Sequence, residues 1–172
     1  MNEVNKKNGK KNLTDSNKIF EQLLKICLIV GIIIVSSFII YYILTPEPPY
    51  YTFGILNEDQ KAEGYQTEAS INDTITFYLS VGNYLEREFA FRFKILKGNN
   101  NTLLGPFPSN GSLYFITGNF TLDPNNKRNY GPYDISFSEI GVNQIIIAEL
   151  WQITNELEDF YNVAYLKLNI TT

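Results

Sequence analysis

The side chains best placed to do chemistry in this 172-residue chain are asparagines and carboxylates, because it contains no histidine and a single cysteine. Without imidazole, the general base of hydrolytic triads and the commonest nitrogen ligand of zinc are both missing. No glycine-rich phosphate loop or other catalytic motif occurs. We therefore assign no catalytic residue, no metal ligand and no cofactor, and expect a non-enzyme. The tightest acidic groups are Glu58-Asp59 and Glu156-Leu-Glu158-Asp159. Loop carboxylates bind calcium when correctly spaced, but the EF-hand spacing is absent, and a solvated acidic turn is the expectation. A carboxylate pair cleaving a glycosidic bond would need a fixed separation, which nothing in the sequence supplies.

The asparagines offer a second chemistry. Five Asn-x-Ser/Thr triplets, at Asn72, Asn100, Asn110, Asn119 and Asn169, are acceptor sequences for N-linked glycans. Some are expected to arise by chance in so asparagine-rich a chain, and some to carry sugar on a solvated outer domain. Tyr84, Tyr130, Tyr133 and Trp151 fall in or beside expected loops. Aromatics there either anchor a protein partner, stack on sugar rings, or plug the ends of the fold, and the plug is the first expectation.

These residues all lie beyond one dominant element. Ile26 to Leu44 is nineteen residues without a charge. As a helix it spans roughly 28 Å, close to the hydrocarbon thickness of a bilayer. Six lysines and three acids precede it, and Thr45 to Gln60 contains no basic residue. The positive-inside bias places residues 1–18 as a cytoplasmic Lys/Asn-rich tail and 19–45 as a transmembrane signal anchor. The run is longer than a cleavable signal's apolar core and lacks a small-x-small site behind it. Cys27 opens the run, where a plain apolar membrane residue is the expectation. Residues 1–14 are expected to be disordered, with a helix starting at Asp15 or Ser16. Pro46, Pro48 and Pro49 end it, so 46–50 reads as a stiff stalk.

From residue 51 the hydrophobic period changes to two. Ile75, Phe77, Leu79 and Val81 alternate with polar neighbours, as do Phe89, Phe91, Phe93 and Ile95, predicting strands at 74–81 and 88–95 joined as a hairpin through Gly82–Arg87. Further strands are predicted at 51–56, 112–116, 133–137, 143–151 and 161–170, with Ala164, Leu166, Leu168 and Ile170 facing inward. Lys97–Asn101, Gly105–Gly111 and Asp123–Pro132 read as turns. The fold class is a single N-terminal transmembrane helix plus an all-β domain, an immunoglobulin-like antiparallel β-sandwich over 51–172. The Cys–Trp–Cys core of antibody domains is absent.

Short motifs in this outer part, Phe53-Gly-Ile-Leu, Lys61-Ala-Glu-Gly-Tyr65 with Thr67, Val81-Gly-Asn83, Gly141, Tyr161 and Leu166-Lys-Leu-Asn-Ile-Thr, resemble a mostly archaeal membrane-protein family, domain of unknown function 1616. The resemblance covers about residues 50–172. The chain departs from the family at Gln66, at Tyr84-Leu85 and at Asn162. What the resemblance implies is a membrane-anchored extracellular sandwich of no known activity.

Charge narrows the partners. The first 45 residues total +3 and the remainder −7, so a broad basic face for nucleic acid is not expected. The partners expected are the lipid bilayer and other membrane or envelope proteins, with glycans as a further class. The resulting expectation is a non-catalytic single-pass protein of the cell membrane, its N-terminus cytoplasmic and its C-terminal domain extracellular. A filament or archaellum-stator-like subunit, or a carbohydrate-binding surface domain, are the alternatives.

Overall fold

The computed structural model describes residues 3–45 and 48–172, with side chains from Lys18 onward. It is mostly β, with one N-terminal apolar helix. The chain divides into two compact units, residues 1–48 and 49–172. Pro46 and Glu47 of the expected stalk lie outside the described residues.

Helix α1 runs Glu3–Leu44. It therefore starts well before Asp15 or Ser16, and the expected disorder of residues 1–14 is not what the described backbone shows. Residues 3–14 contain four lysines and no proline, so an existing helix extends through them despite Gly9 and the asparagines. Its segment Lys18–Leu44 is long and apolar enough to cross a membrane, and none of it is buried within the chain. The Thr45 N–H and hydroxyl both donate to the Tyr41 carbonyl, closing the last turn.

The second unit is built from nine strands: β1 Tyr50–Leu56, β2 Glu68–Ser70, β3 Ile75–Tyr84, β4 Phe89–Gly98, β5 Ser112–Ile116, β6 Phe120–Leu122, β7 Asn126–Ile135, β8 Gly141–Thr154 and β9 Leu157–Thr171. They form a three-stranded sheet, β1-β3-β7, and a larger sheet ordered β2-β9-β8-β4-β5, with β6 also on β4. One hydrophobic core lies between them. Phe77, Leu79 and Val81 from the first sheet and Phe89, Phe91, Phe93 and Ile95 from the second are essentially without solvent exposure. Each such side chain contributes about 1.5–3 kcal/mol of burial. The rings form a continuous stack, with Phe89–Phe91 centroids at 5.1 Å and Phe91–Phe93 at 5.3 Å. Leu168 and Ile170 are buried, and Ala164 and Leu166 pack against the same core, as their alternation predicts.

Four expectations are corrected. First, β3 and β4 are not a hairpin: they belong to different sheets, and residues 85–88 cross between the layers. The fully buried Asn83 governs this crossing. Its Nδ2 donates to the Arg87 carbonyl (2.9 Å) and the Leu122 carbonyl (2.8 Å), and its Oδ1 accepts from the Leu85 N–H (3.0 Å). Second, most of the expected turn Asp123–Pro132 is strand β7, whose register on β3 shifts beside Gly131. Gly131 has φ +133, and a Cβ there would lie 3.2 Å from the Phe77 carbonyl oxygen, so the irregularity needs glycine. Third, the domain is not wholly antiparallel, because β2 pairs with β9 in parallel. Fourth, Glu156–Asp159 is not a loop: β8 and β9 meet in a two-residue turn, Asn155-Glu156, both at positive φ (51° and 69°). That is the geometry of a type I′ hairpin.

Candidate functional site

The strand directions define two ends of the β unit. The chain enters at Tyr50, beside the end of β3 and the crossing at 85–88. At the opposite end, where β4 finishes and β8 begins, lies an open cleft of about 610 Å³. Lys97 and the turn after β4, Asn110 to Ser112 before β5, Phe137 to Glu139 after β7, and Gln144 on β8 line it. Four separate chain segments thus supply its walls.

Local hydrogen bonding shapes this cleft. The Asn99 N–H donates to Thr102 Oγ1 (2.9 Å), the Thr102 N–H returns to the Asn99 carbonyl (2.9 Å), and Asn99 Oδ1 accepts from the Asn101 N–H (2.9 Å). Asn110 Oδ1 accepts from the Leu103 N–H at 2.8 Å. These asparagines spend their oxygens holding the loop and keep amide N–H groups for a ligand. Gly111 lets the loop lie close to β4, since a Cβ there would come within 2.9 Å of the Lys97 carbonyl oxygen. Lys97 Nζ sits 4.2 Å from the Tyr114 ring centroid and 5.3 Å from that of Phe137, and burial lowers its pKa. The cleft offers amides, hydroxyls, the Lys97 cation and the Glu139 carboxylate. It can bind polar groups by hydrogen bonds.

A second feature lies on the outer face of the larger sheet. Glu149 is buried, and its Oε1 accepts from the Ser109 N–H (2.6 Å) while Oε2 accepts from Trp151 Nε1 (2.9 Å). Lys94 Nζ lies 3.5 Å from the Trp151 ring centroid and 2.8 Å from Glu158, which Arg92 also contacts at 2.9 Å. The hydrogen bond from Lys94 is the main cause that lowers the Glu158 pKa. Leu96, Ile145 and Ile147 form a small second core beside it, against which Leu104 packs. The loop between β4 and β5 is therefore fastened across this face.

The residues singled out from sequence are dispersed. Asn72, Asn100, Asn110 and Asn119 are exposed, and Asn72, in the turn between β2 and β3, has φ +64. Asn169 lies within β9, its N–H donating to Thr67 and its Oδ1 accepting from the Asn143 N–H. Of the acidic groups, Glu58 and Asp59 line a smaller crevice of about 240 Å³ with Asn57, Tyr65 and Gln66, whereas Glu158 is held by two cations and Glu156 is exposed in the hairpin turn. Among the described residues no three Asp, Glu, Cys or His side chains gather as a metal site. Tyr130 and Tyr133 are not loop residues but strand residues of the core, and burial raises the pKa of both, that of Tyr133 to about 12. Tyr84 stacks on Tyr50 at 4.7 Å. The cleft itself was not legible as a motif, since no short stretch contains it.

No family model matches the chain, and no curated protein matches it. Solved structures similar to it include the CARDB domain of a Pyrococcus furiosus protein in complex with di-metal ions, at 14% identity and TM-score 0.46, covering 74% of this chain and 93% of that one. A β-glucosidase of Erythrobacter marinus is similar at 9% identity and TM-score 0.47, over 72% of this chain and 16% of that one. The sporulation control protein Spo0M of Bacillus subtilis is similar at 6% identity and TM-score 0.46, over 71% and 49%.

Proposed function

We propose that the protein is a non-catalytic, single-pass surface protein whose helix spans the cell membrane and whose outer domain, an immunoglobulin-like β-sandwich, binds other membrane or envelope components. One observation carries this reading. The apolar side chains from Ile19 to Leu44 are exposed all round the helix, and no part of that segment is buried by the rest of the chain. So large an apolar surface is stable only in another apolar medium. The lysines before the segment and their absence just after it support an inner N-terminus. The similarity of the outer part to domain of unknown function 1616 belongs to the same reading, as does the dispersal of its acids.

Membrane extraction tests it. The full chain is expected to stay with the membrane in alkaline carbonate, and external protease is expected to remove a C-terminal tag while sparing an N-terminal one. Release by carbonate, or a mature N-terminus beyond Leu44, would defeat the anchor.

The cleft beyond Lys97 favours carbohydrate as one binding partner, because amide N–H groups and hydroxyls converge there beside the Phe137 ring. Binding on a glycan array, lost in Gln144→Ala, is the expected result. An array blank for the full chain would remove that reading.

A further inference from the structure

We propose that the free edge of β5 pairs with β5 of a second copy of this chain, antiparallel and about a two-fold axis. The inference goes beyond the reading of an anchored surface protein. β5 ends the larger sheet, with β4 on one side and no strand on the other. A free edge presents unpaired N–H and C=O groups that a further strand can satisfy. The other edges are shorter or carry charge: β9, which β2 covers only from Asn169 to Thr171, carries Glu158, Asp159 and Lys167 along the rest of its free edge, and β6 is three residues long. β7 has Lys127, Arg128, Pro132 and Asp134, β2 is three residues long, and on β1 the Tyr65 hydroxyl donates to the Ile55 carbonyl at 2.8 Å. β5 has none of these devices beyond one irregularity of register near Tyr114. Its Leu113, Tyr114 and Ile116 are 53%, 43% and 45% exposed.

Charge identifies the occupant. Two-fold pairing sets each half of the strand against the opposite half of the strand in the second copy, and it brings two domains of the same net charge together. The domain is acidic, at −7 beyond residue 45, yet Gly98 to Leu122 contains no charged residue at all. This is the longest uncharged stretch of the outer domain, and β5 lies inside it. A second copy can approach there without the repulsion it meets elsewhere. Five paired residues bury less than a stable soluble interface needs, so the pair forms where many copies are held close together and the effective concentration is high.

Cysteine scanning tests this in proteoliposomes containing the full chain. Cys27→Ser removes the native thiol, and single cysteines are placed in turn at 112 to 116. In a two-fold antiparallel pair only the residue on the axis faces itself, at Cα separations of about 4.5–5.5 Å that permit a disulfide. Mild oxidation is expected to give a disulfide dimer peaking at one or two central positions, about tenfold above the strand ends. Adding Ile116→Lys should reduce that peak by about tenfold while leaving the far-ultraviolet spectrum unchanged. Uniform or absent crosslinking, a peak that Ile116→Lys leaves intact, or a dimer seen only through Cys27 in the native chain would each overturn the proposal. The pattern is readable in any bilayer, so its failure is distinct from failure of the carbonate and protease tests.

Discussion

Glu149 and Trp151 stand two residues apart on the same face of β8, and the indole Nε1 donates to the carboxylate at 2.9 Å. The other carboxylate oxygen takes the Ser109 N–H, so one buried acid joins the sheet to the β4–β5 loop, the segment that walls the cleft. Glu149→Ala strands both donors and is expected to cost about 1–3 kcal/mol. Glu149→Gln keeps one acceptor and should cost less. Urea unfolding measures the loss, and amide exchange across residues 99–111 should accelerate in the alanine variant.

Asn83 makes three hydrogen bonds at full burial. Asn83→Ala leaves two carbonyls and one N–H unsatisfied where the chain changes sheets, and is expected to cost at least about 2 kcal/mol. Asn83→Asp should be worse, since a carboxylate would face the Arg87 and Leu122 carbonyls. Thermal melts of the two variants rank them.

The β8–β9 turn has room for improvement. Glu156 sits at φ +69 in the second position of a type I′ turn, where glycine is at ease. Glu156→Gly is expected to stabilise the domain by about 0.5–1 kcal/mol, the strain of the left-handed region less the entropy of glycine. An unchanged urea midpoint would refute this.

Stability should fall at both extremes of pH. Glu158 titrates below its ordinary value, chiefly through the hydrogen bond from Lys94, so its contribution is present above the unfolded carboxylate pKa and is lost as pH falls through the folded one. Glu158→Gln should flatten the acid limb. Tyr133, raised to about 12 by burial and then by Tyr130, keeps its proton in the folded state when the unfolded chain has begun to lose it. Its contribution is full below the unfolded value near 10 and is lost as pH rises towards 12. Tyr133→Phe should make the alkaline limb shallower in urea titrations, with Tyr51 and Tyr130, also raised, keeping part of the slope.

In a glycosylating host, glycopeptide mass spectrometry is expected to find sugar at some of Asn72, Asn100, Asn110 and Asn119, which are exposed. Asn169 should remain bare in the folded protein, because it is held between Thr67 and Asn143 inside the sheet. A modified Asn169 would mean that β9 forms without its pairing to β2.

The strands with one wet and one dry face were legible because alternation reports burial directly: β3 and β4 contain their predicted residues except Thr74 and Glu88, and β5, though mostly exposed, lies at the predicted Ser112–Ile116. Alternation does not report which sheet a strand joins. Phe89 to Ile95 would read the same beside β3 or facing it, and only the bonds of a buried Asn83 mark the crossing. Of β7 only Tyr133 to Ile135 was predicted as strand; the rest was hidden because an edge strand is protected by the residue types that also make turns, here Asn, Lys, Arg and Gly-Pro. β2 and β6, at three residues each, are too short to show a period. The cleft draws on residues from Lys97 to Gln144, so it exists only once the two sheets have closed.

The direction of β5 has a consequence for the geometry of the proposed pair. It starts at the cleft end and runs back towards the end where the chain enters at Tyr50. Two domains joined edge to edge in antiparallel fashion therefore have their entry points at opposite ends of one continuous sheet. In the proposed pair the distance between the two entry points is thus set by the length of the strands.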